Sequence, residues 1–467
     1  MRGSTEASLH VLYWIIAKVH VASRFKMVTV QRQRLRRPHP QNYRLVILLV
    51  GTTVISFLVL LALGLAFFKL SSSSATETTN STSTFSIPHL RSPQTQTVHK
   101  IRQCTHTQNP YGCIIRPPEL TNDIRKDVEE IKEAKGADIA VSYGDRYSAA
   151  MSLQGRDHIQ NQDRGIIISP FQIPVPTSID SSIASTSTGS NTGSSQNDFL
   201  VAIYDGHGDD GHLVAQYLQD HLHERIADKL SSSLETTRAL ALPLPDDIIS
   251  RLLNATFLEM DEELPHNLGQ RGGSTASVIL RLGRKLYFAN AGDSLSFLAS
   301  YDRKSAQTTI VHKNRFDKPY LPDEKERVER MGGKVHIPPH PINARVVAFD
   351  RFRHEMVTLG MSRAIGDWYH GEVGVIAEPI VDVVDLDDII RQDSAGAAKE
   401  YFVVSACDGL YDHRTKEFVA AHLAKCFFAE QECHPVVESV NIIDLATPTK
   451  VAGYHDDMTL STLRIIL

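Results

Sequence analysis

Two short segments, about two hundred residues apart, carry the same chemical suggestion. Tyr204-Asp205-Gly206-His207-Gly208 ends the apolar run 199–203, and Cys407-Asp408-Gly409 follows the apolar run 401–404. An Asp-Gly pair alone is ordinary hairpin chemistry, and Asp205 and Asp408 could be turn residues. Their lead-ins, however, are too apolar for a solvated edge. Each is expected to be a buried strand that delivers a carboxylate to the end of a sheet. Grouped buried carboxylates are costly unless cations neutralise them. The residue types therefore point to an enzyme holding two divalent metals.

Such groups need a rigid frame. Strands are expected at 147–153, 164–168, 276–282, 285–290, 296–301, 308–312, 380–384, 401–406 and 458–466. Helices are expected at 212–230, 246–263, 323–331 and 415–428, the third stopped by Gly332-Gly333. Strands and helices come in runs rather than strict alternation, which predicts an α+β fold of two antiparallel sheets flanked by helices. Residues 169–198, rich in Ser, Thr, Pro and Gly, read as an insertion between two strands, tolerated because loop closure entropy grows slowly with length. The globular domain is expected to cover 141–467.

The N-terminal part has a different composition. No acidic residue lies between Glu6 and Glu77, while Arg24, Lys26, Arg32, Arg34, Arg36, Arg37 and Arg44 cluster there. Residues 1–44 are expected to be disordered, apart from an apolar patch at 9–21. The next twenty-four residues, 45–68, carry no charge. As a helix they would span roughly 36 Å, enough for a tilted single transmembrane pass. A secretory signal and a mitochondrial import sequence are the rival readings. The basic flank places the N-terminus in the cytosol and the catalytic domain on the non-cytosolic side. Residues 69–140 read as a Ser/Thr-rich linker and stalk, with a sequon at Asn80 and helical charge alternation over 119–135. Of five cysteines, Cys104 and Cys113 are close enough in sequence to pair on an oxidising side or to remain separate thiols. Hydrophobic residues make up 42% of the chain, as a packed core requires, and the net charge of -5 gives no reason to expect nucleic-acid binding.

Seven segments ask for one explanation: Asn161-Gln162-Asp163, Tyr204-Asp-Gly-His-Gly208, Gly272-Gly-Ser-Thr-Ala276, Ala289-Asn-Ala-Gly-Asp-Ser294, Met361-Ser-Arg-Ala-Ile-Gly-Asp367, Cys407-Asp-Gly-Leu-Tyr-Asp412 and Gly453-Tyr-His-Asp-Asp457. In this order and spacing the chain resembles the metal-dependent protein serine/threonine phosphatases of type 2C (PPM), over residues 147–467. The resemblance implies an α-β-β-α sandwich and two Mg2+ or Mn2+ ions that activate water for attack on a phosphoserine or phosphothreonine ester. It implies phosphoprotein substrates. It makes Asp205, the carbonyl of Gly206, Asp408 and Asp456 metal ligands, with Asp163 beside them and Asp367 near a further metal position. His207 matches the general acid, and Arg156 the arginine that grips phosphate.

The pattern has departures. Gln162 stands where many members carry glutamate, Leu295 where they carry arginine, and Asp457 where they carry asparagine. The Asp-His-Lys-Pro segment is distorted around 312–317. Asp293 is expected to bond backbone as much as metal, and Asp412 to cap a helix. A degenerate phosphatase acting as a binding or regulatory module is the alternative, against which stands the survival of Asp205, Asp408 and Asp456. An enzyme of small phosphoesters is a third reading.

Overall fold

Apolar residues at alternate positions give each central strand two buried faces. In Phe199–Gly208, Val201 packs with Ile167, Ile279 and Phe288 toward a second sheet. Leu200, Ala202 and Tyr204 point the other way, onto Val214, Leu218, Leu222 and Ile226 of the helix Gly211–Thr236. Those helix residues recur every fourth position, so they form one stripe. Burying each large aliphatic or aromatic side chain contributes about 1.5–3 kcal/mol. A sheet covered on both faces reads in sequence as a continuous apolar run.

The computed structural model describes residues 109–135, 139–174, 196–236, 244–351, 354–392, 399–429, 432–448 and 454–467. One sheet runs, in order, through Gly112–Ile115, Asp163–Phe171, Phe199–Gly208, Ala276–Leu282, Lys285–Ala291 and Ile380–Asp385. The second runs through Gln307–Lys313, Leu295–Asp302, Lys399–Ala406, Met458–Ile465, Ser148–Leu153 and Gly144–Asp145. Neighbours within both are antiparallel. Helices Gly211–Thr236 and Asp246–Glu262 cover the first sheet, and Lys416–Phe428 and Pro435–Ala446 the second. The layers are those expected. A small third sheet, Lys334–His336, Arg345–Asp350 and Glu355–Leu359, stands apart with Val328, Val346 and Leu359 at its core. That sheet, and the helix Pro435–Ala446, are absent from the sequence expectation.

Several boundaries move. The stretch 69–140 is not all stalk: Gly112–Ile115 pairs with Asp163–Phe171. The helix Asn122–Glu133, capped by the Thr121 hydroxyl, buries Val128 and Ile131 in the main core. Dense surface charge hid those two core contacts. The insertion begins later than 169, because the strand continues to Phe171 and both Phe171 and Ile173 are fully buried. Residues 1–44, the predicted membrane segment 45–68, Asn80 and most of the insertion lie outside the described residues. Among the described residues no helix is long and apolar enough to cross a membrane.

Cys113 is disulfide-bonded, and Cys104 lies outside the described residues. A bridge that the sequence reading missed joins Cys426, near the end of one helix, to Cys433, just before the next, with their Cα atoms 5.1 Å apart. Cys407 is a buried free thiol.

Candidate metal centre

The two sheets bring their carboxylates to one end. In the first, Asp163 opens a strand and stands opposite Asp205 in the antiparallel register. In the second, Ala406 stands opposite Leu460. Asp408, just past one strand, and Asp456, just before the other, therefore share that end. Their electrostatics show the convergence. Burial, reinforced by Asp163, Asp408, Asp456 and Asp293, pushes the Asp205 carboxyl well above the carboxylate range. Burial and Asp293 do the same to Asp408, with Lys318 opposing. Burial, then Asp457, pushes Asp163 up to about 7, against hydrogen bonds from Cys407 and Thr459. Asp456 is raised by burial, with His158 opposing.

Oxygen donors that repel one another and lack enough fixed counter-charge suit a hard divalent cation. The Oδ2 of Asp163 and the Oδ1 of Asp293 are buried without a hydrogen-bond partner, as expected of atoms that await an ion. One oxygen each from Asp163 and Asp205 and the Cys407 sulfur lie within 4.8 Å of one another. Burial, then Asp163, raises the Cys407 thiol well above its ordinary range, so it stays neutral and leaves the carboxylates as donors. A Cβ at Gly206 would sit 2.4 Å from the Gly211 carbonyl oxygen. Only glycine fits beside Asp205 there.

His207 leads away from this cluster. Its Nε2 donates to Oδ2 of Asp367 at 2.5 Å, since a carboxylate can only accept. A Cβ at Gly273 would fall 2.1 Å from that oxygen and 2.9 Å from Nε2, so the glycine makes room for the pair. Burial works against the charged imidazole, but Asp367, with help from Asp293, outweighs it and raises the His207 pKa. The sequence resemblance put Asp367 near a metal. In this structure its Oδ2 holds His207, and Asp293 also acts on the aspartate group. Asp293 itself is ion-paired with Lys318, whose charge also acts on Asp408.

Arg156 sits on the exposed loop 154–162, where its backbone N–H donates to Nδ1 of His455 at 3.3 Å. Asp457 fastens this loop. Its Oδ1 accepts from the Gly155 N–H, and its Oδ2 from the Gln162 N–H and from His158 Nδ1, each at 2.7 Å. The residue that departs from the family pattern is thus a buried staple. His158 also reaches the Tyr454 hydroxyl at 2.6 Å and Asp456 at 3.5 Å. Nothing in the sequence marked His158, a lone histidine in a polar loop. Asp412 takes the C-cap position of the short helix Asp408–Tyr411, where its backbone N–H, rather than its side chain, bonds the Asp408 carbonyl. Asp317, in the distorted segment, bonds Asn290, the Gly292 N–H and Arg315, which makes it structural.

The family model of protein phosphatase 2C matches residues 177–444. The chain is 30% identical over 218 residues to probable protein phosphatase 2C 64 of Oryza sativa subsp. japonica, covering 46% of each chain. It is 26% identical over 280 residues to the integrin-linked kinase-associated serine/threonine phosphatase 2C of Bos taurus, covering 56% of this chain and 65% of that one. To protein phosphatase 1B of Homo sapiens it is 28% identical over 252 residues, or 51% and 47%. The chain thus spans between about half and just under two thirds of these relatives. A solved serine-threonine phosphatase 2C from Toxoplasma gondii is similar at 16% identity and a TM-score of 0.49, over 68% of this chain and 94% of that one. The matched segment takes in Asp205, His207, Asp367 and Asp408 and exceeds half of the sequence, so the chain belongs to the protein phosphatase 2C family.

Proposed function

We propose that this domain hydrolyses phosphoserine and phosphothreonine esters of proteins, using two Mg2+ or Mn2+ ions. The gathering of Asp163, Asp205, Asp408 and Asp456 at one end of both sheets carries the reading. Those side chains and the Gly206 carbonyl would hold the ions. When bound, such a pair lowers the pKa of a water and neutralises phosphate charge. The chain's own groups do the rest. Arg156, on its stapled loop, offers a planar donor to the phosphate oxygens. His207, whose pKa Asp367 raises against the effect of burial, gives a proton to the departing seryl or threonyl oxygen.

The test is turnover by the purified full chain of a phosphothreonine peptide and of p-nitrophenyl phosphate with Mn2+ or Mg2+. Hydrolysis stopped by EDTA and by Asp408→Asn supports the enzyme. Absence of turnover of either substrate with either metal would favour a binding or regulatory module.

We also propose that residues 45–68 anchor the chain in a membrane, with the domain on the non-cytosolic side. The uncharged run with its basic flank supports this, as does the Cys426–Cys433 bridge, since disulfides persist in oxidising compartments. Protease protection in sealed vesicles, or a glycan on Asn80, checks it. Complete digestion of the domain from the cytosolic side would reverse the orientation.

A further inference from the structure

Beside His207 a cleft of about 690 Å³ opens between the small three-stranded sheet and the helix His266–Arg271. His207 and Asp367 line it, whereas Asp163, Asp205, Asp408 and Asp456 do not. The cleft therefore borders the proton donor without being the metal centre. Whatever lies in it belongs to the leaving-group side of the ester. In a phosphoprotein that is the polypeptide flanking the phosphoresidue. The inference thus rests on the phosphatase reading.

The two arginines of the cleft differ in standing. Arg271 is answered by carboxylates: its Nε lies 3.2 Å from Asp210, and its Nη2 lies 3.7 Å from Asp209. Arg345, the first residue of its strand, is exposed and makes no side-chain hydrogen bond or ion pair among the described residues. Its position is nonetheless defined. The guanidinium lies across Gly360, where a Cβ would come within 2.6 Å of Nη1. Its cross-strand partner is His336, which adds no negative charge. The charge of Arg345 also reaches Lys318, another cation, so the free protein supplies repulsion there. Asp209, Asp350 and Asp367 also line the cleft, but none of them is ion-paired with Arg345, and an arginine so placed suits a planar, bidentate carboxylate partner.

We propose that Arg345 reads an acidic side chain in the substrate segment next to the phosphoresidue, and so directs the enzyme toward phosphosites with acidic flanks. The test uses the full chain with Mn2+ and two phosphothreonine peptides that differ only in flanking residues, Glu in one and Gln in the other. The readout is the ratio of their kcat/KM values. The wild-type chain is expected to favour the acidic peptide about tenfold, the worth of one exposed charge-assisted contact. Arg345→Gln should bring the ratio to about one, and Arg345→Glu should invert it. A structural role would lower both peptides together and leave the ratio alone. A wild-type ratio of one, or a ratio that survives Arg345→Gln, overturns the assignment. If the wild-type chain turns over neither peptide nor p-nitrophenyl phosphate, the phosphatase reading itself has failed.

Discussion

Asp163 and Asp205 face each other across an antiparallel strand pair, and one oxygen of Asp163 has no partner at all. Two such carboxylates cannot both ionise cheaply without a cation. In the metal-free domain Asp163 titrates at about 7, and Asp205 and Asp408 lie well above the ordinary range. The folded state therefore keeps protons that the unfolded chain, titrating near about 4, has released. The sign follows. The contribution of these groups is full below about pH 4 and is lost as pH rises through about 7 and beyond. In EDTA the melting temperature should fall between pH 5 and 8. Mn2+ should restore it most at the alkaline end, with proton release on binding. A flat profile in EDTA would contradict this, and Asp163→Asn should blunt the fall.

His207 separates binding from chemistry. General acid catalysis contributes about 10²–10⁴-fold. His207→Gln should therefore lower kcat by that order for a phosphothreonine peptide. The loss should be much smaller for p-nitrophenyl phosphate, whose leaving group needs no proton. Asp367→Asn removes the charge that holds the imidazolium. The alkaline limb of the pH–rate profile should then move to lower pH. Equal losses on both substrates would remove His207 from the proton-transfer role.

Asp457 tests the staple on the Arg156 loop. Truncation to alanine leaves the Gly155 and Gln162 N–H groups and His158 without their acceptor. Each orphaned buried donor costs about 1–3 kcal/mol. Asp457→Ala should lower the melting temperature and raise KM through loss of the loop's position. Asp457→Asn keeps an oxygen but not the charge, and should fall between. A wild-type KM in the alanine variant would show that Arg156 does not depend on this loop geometry.

The frame was largely legible because both sheets are buried on two faces, which writes itself as apolar runs such as 199–203 and 401–404. Asp205 and Asp408 were legible for the same reason: each ends such a run. Asp163 was visible only through the family pattern, and its pairing with Asp205 required the register. His158 and Lys318 escaped because their partners, Asp457 and Asp293, are distant in sequence and no periodicity links them. The helix Asn122–Glu133 was seen as a charged helix, but two core residues among twelve could not announce its docking. The sheet at 334–359 escaped because its strands are short and half-exposed, with Phe349 and Met356 outward.

Glu324 supplies a test with the opposite pH sign. It is fully buried, with Arg327 at 2.5 Å, Arg315 at 2.6 Å, Arg363 at 2.9 Å and the Ser362 hydroxyl at 2.6 Å. Burial alone would raise its pKa. Arg327, Arg363 and Ser362 overcome that and hold it at about 2. Its contribution is thus present above the unfolded value near 4.3 and lost as pH falls through about 2. Glu324→Gln leaves three arginines around an uncharged amide, and breaking a buried ion pair from one side costs about 3–5 kcal/mol. For a domain of this size that corresponds to a drop on the order of 10 °C in melting temperature at neutral pH. Ser362 and Arg363 lie five and four residues before Asp367, so the network also holds the segment that presents Asp367 to His207. Loss of Glu324 should therefore reduce kcat as well as stability. Moreover, the gap from wild type should narrow between pH 4 and 2, where the native carboxylate protonates. A gap that stays constant over that interval would mean that the arginines are held by packing rather than by the Glu324 charge.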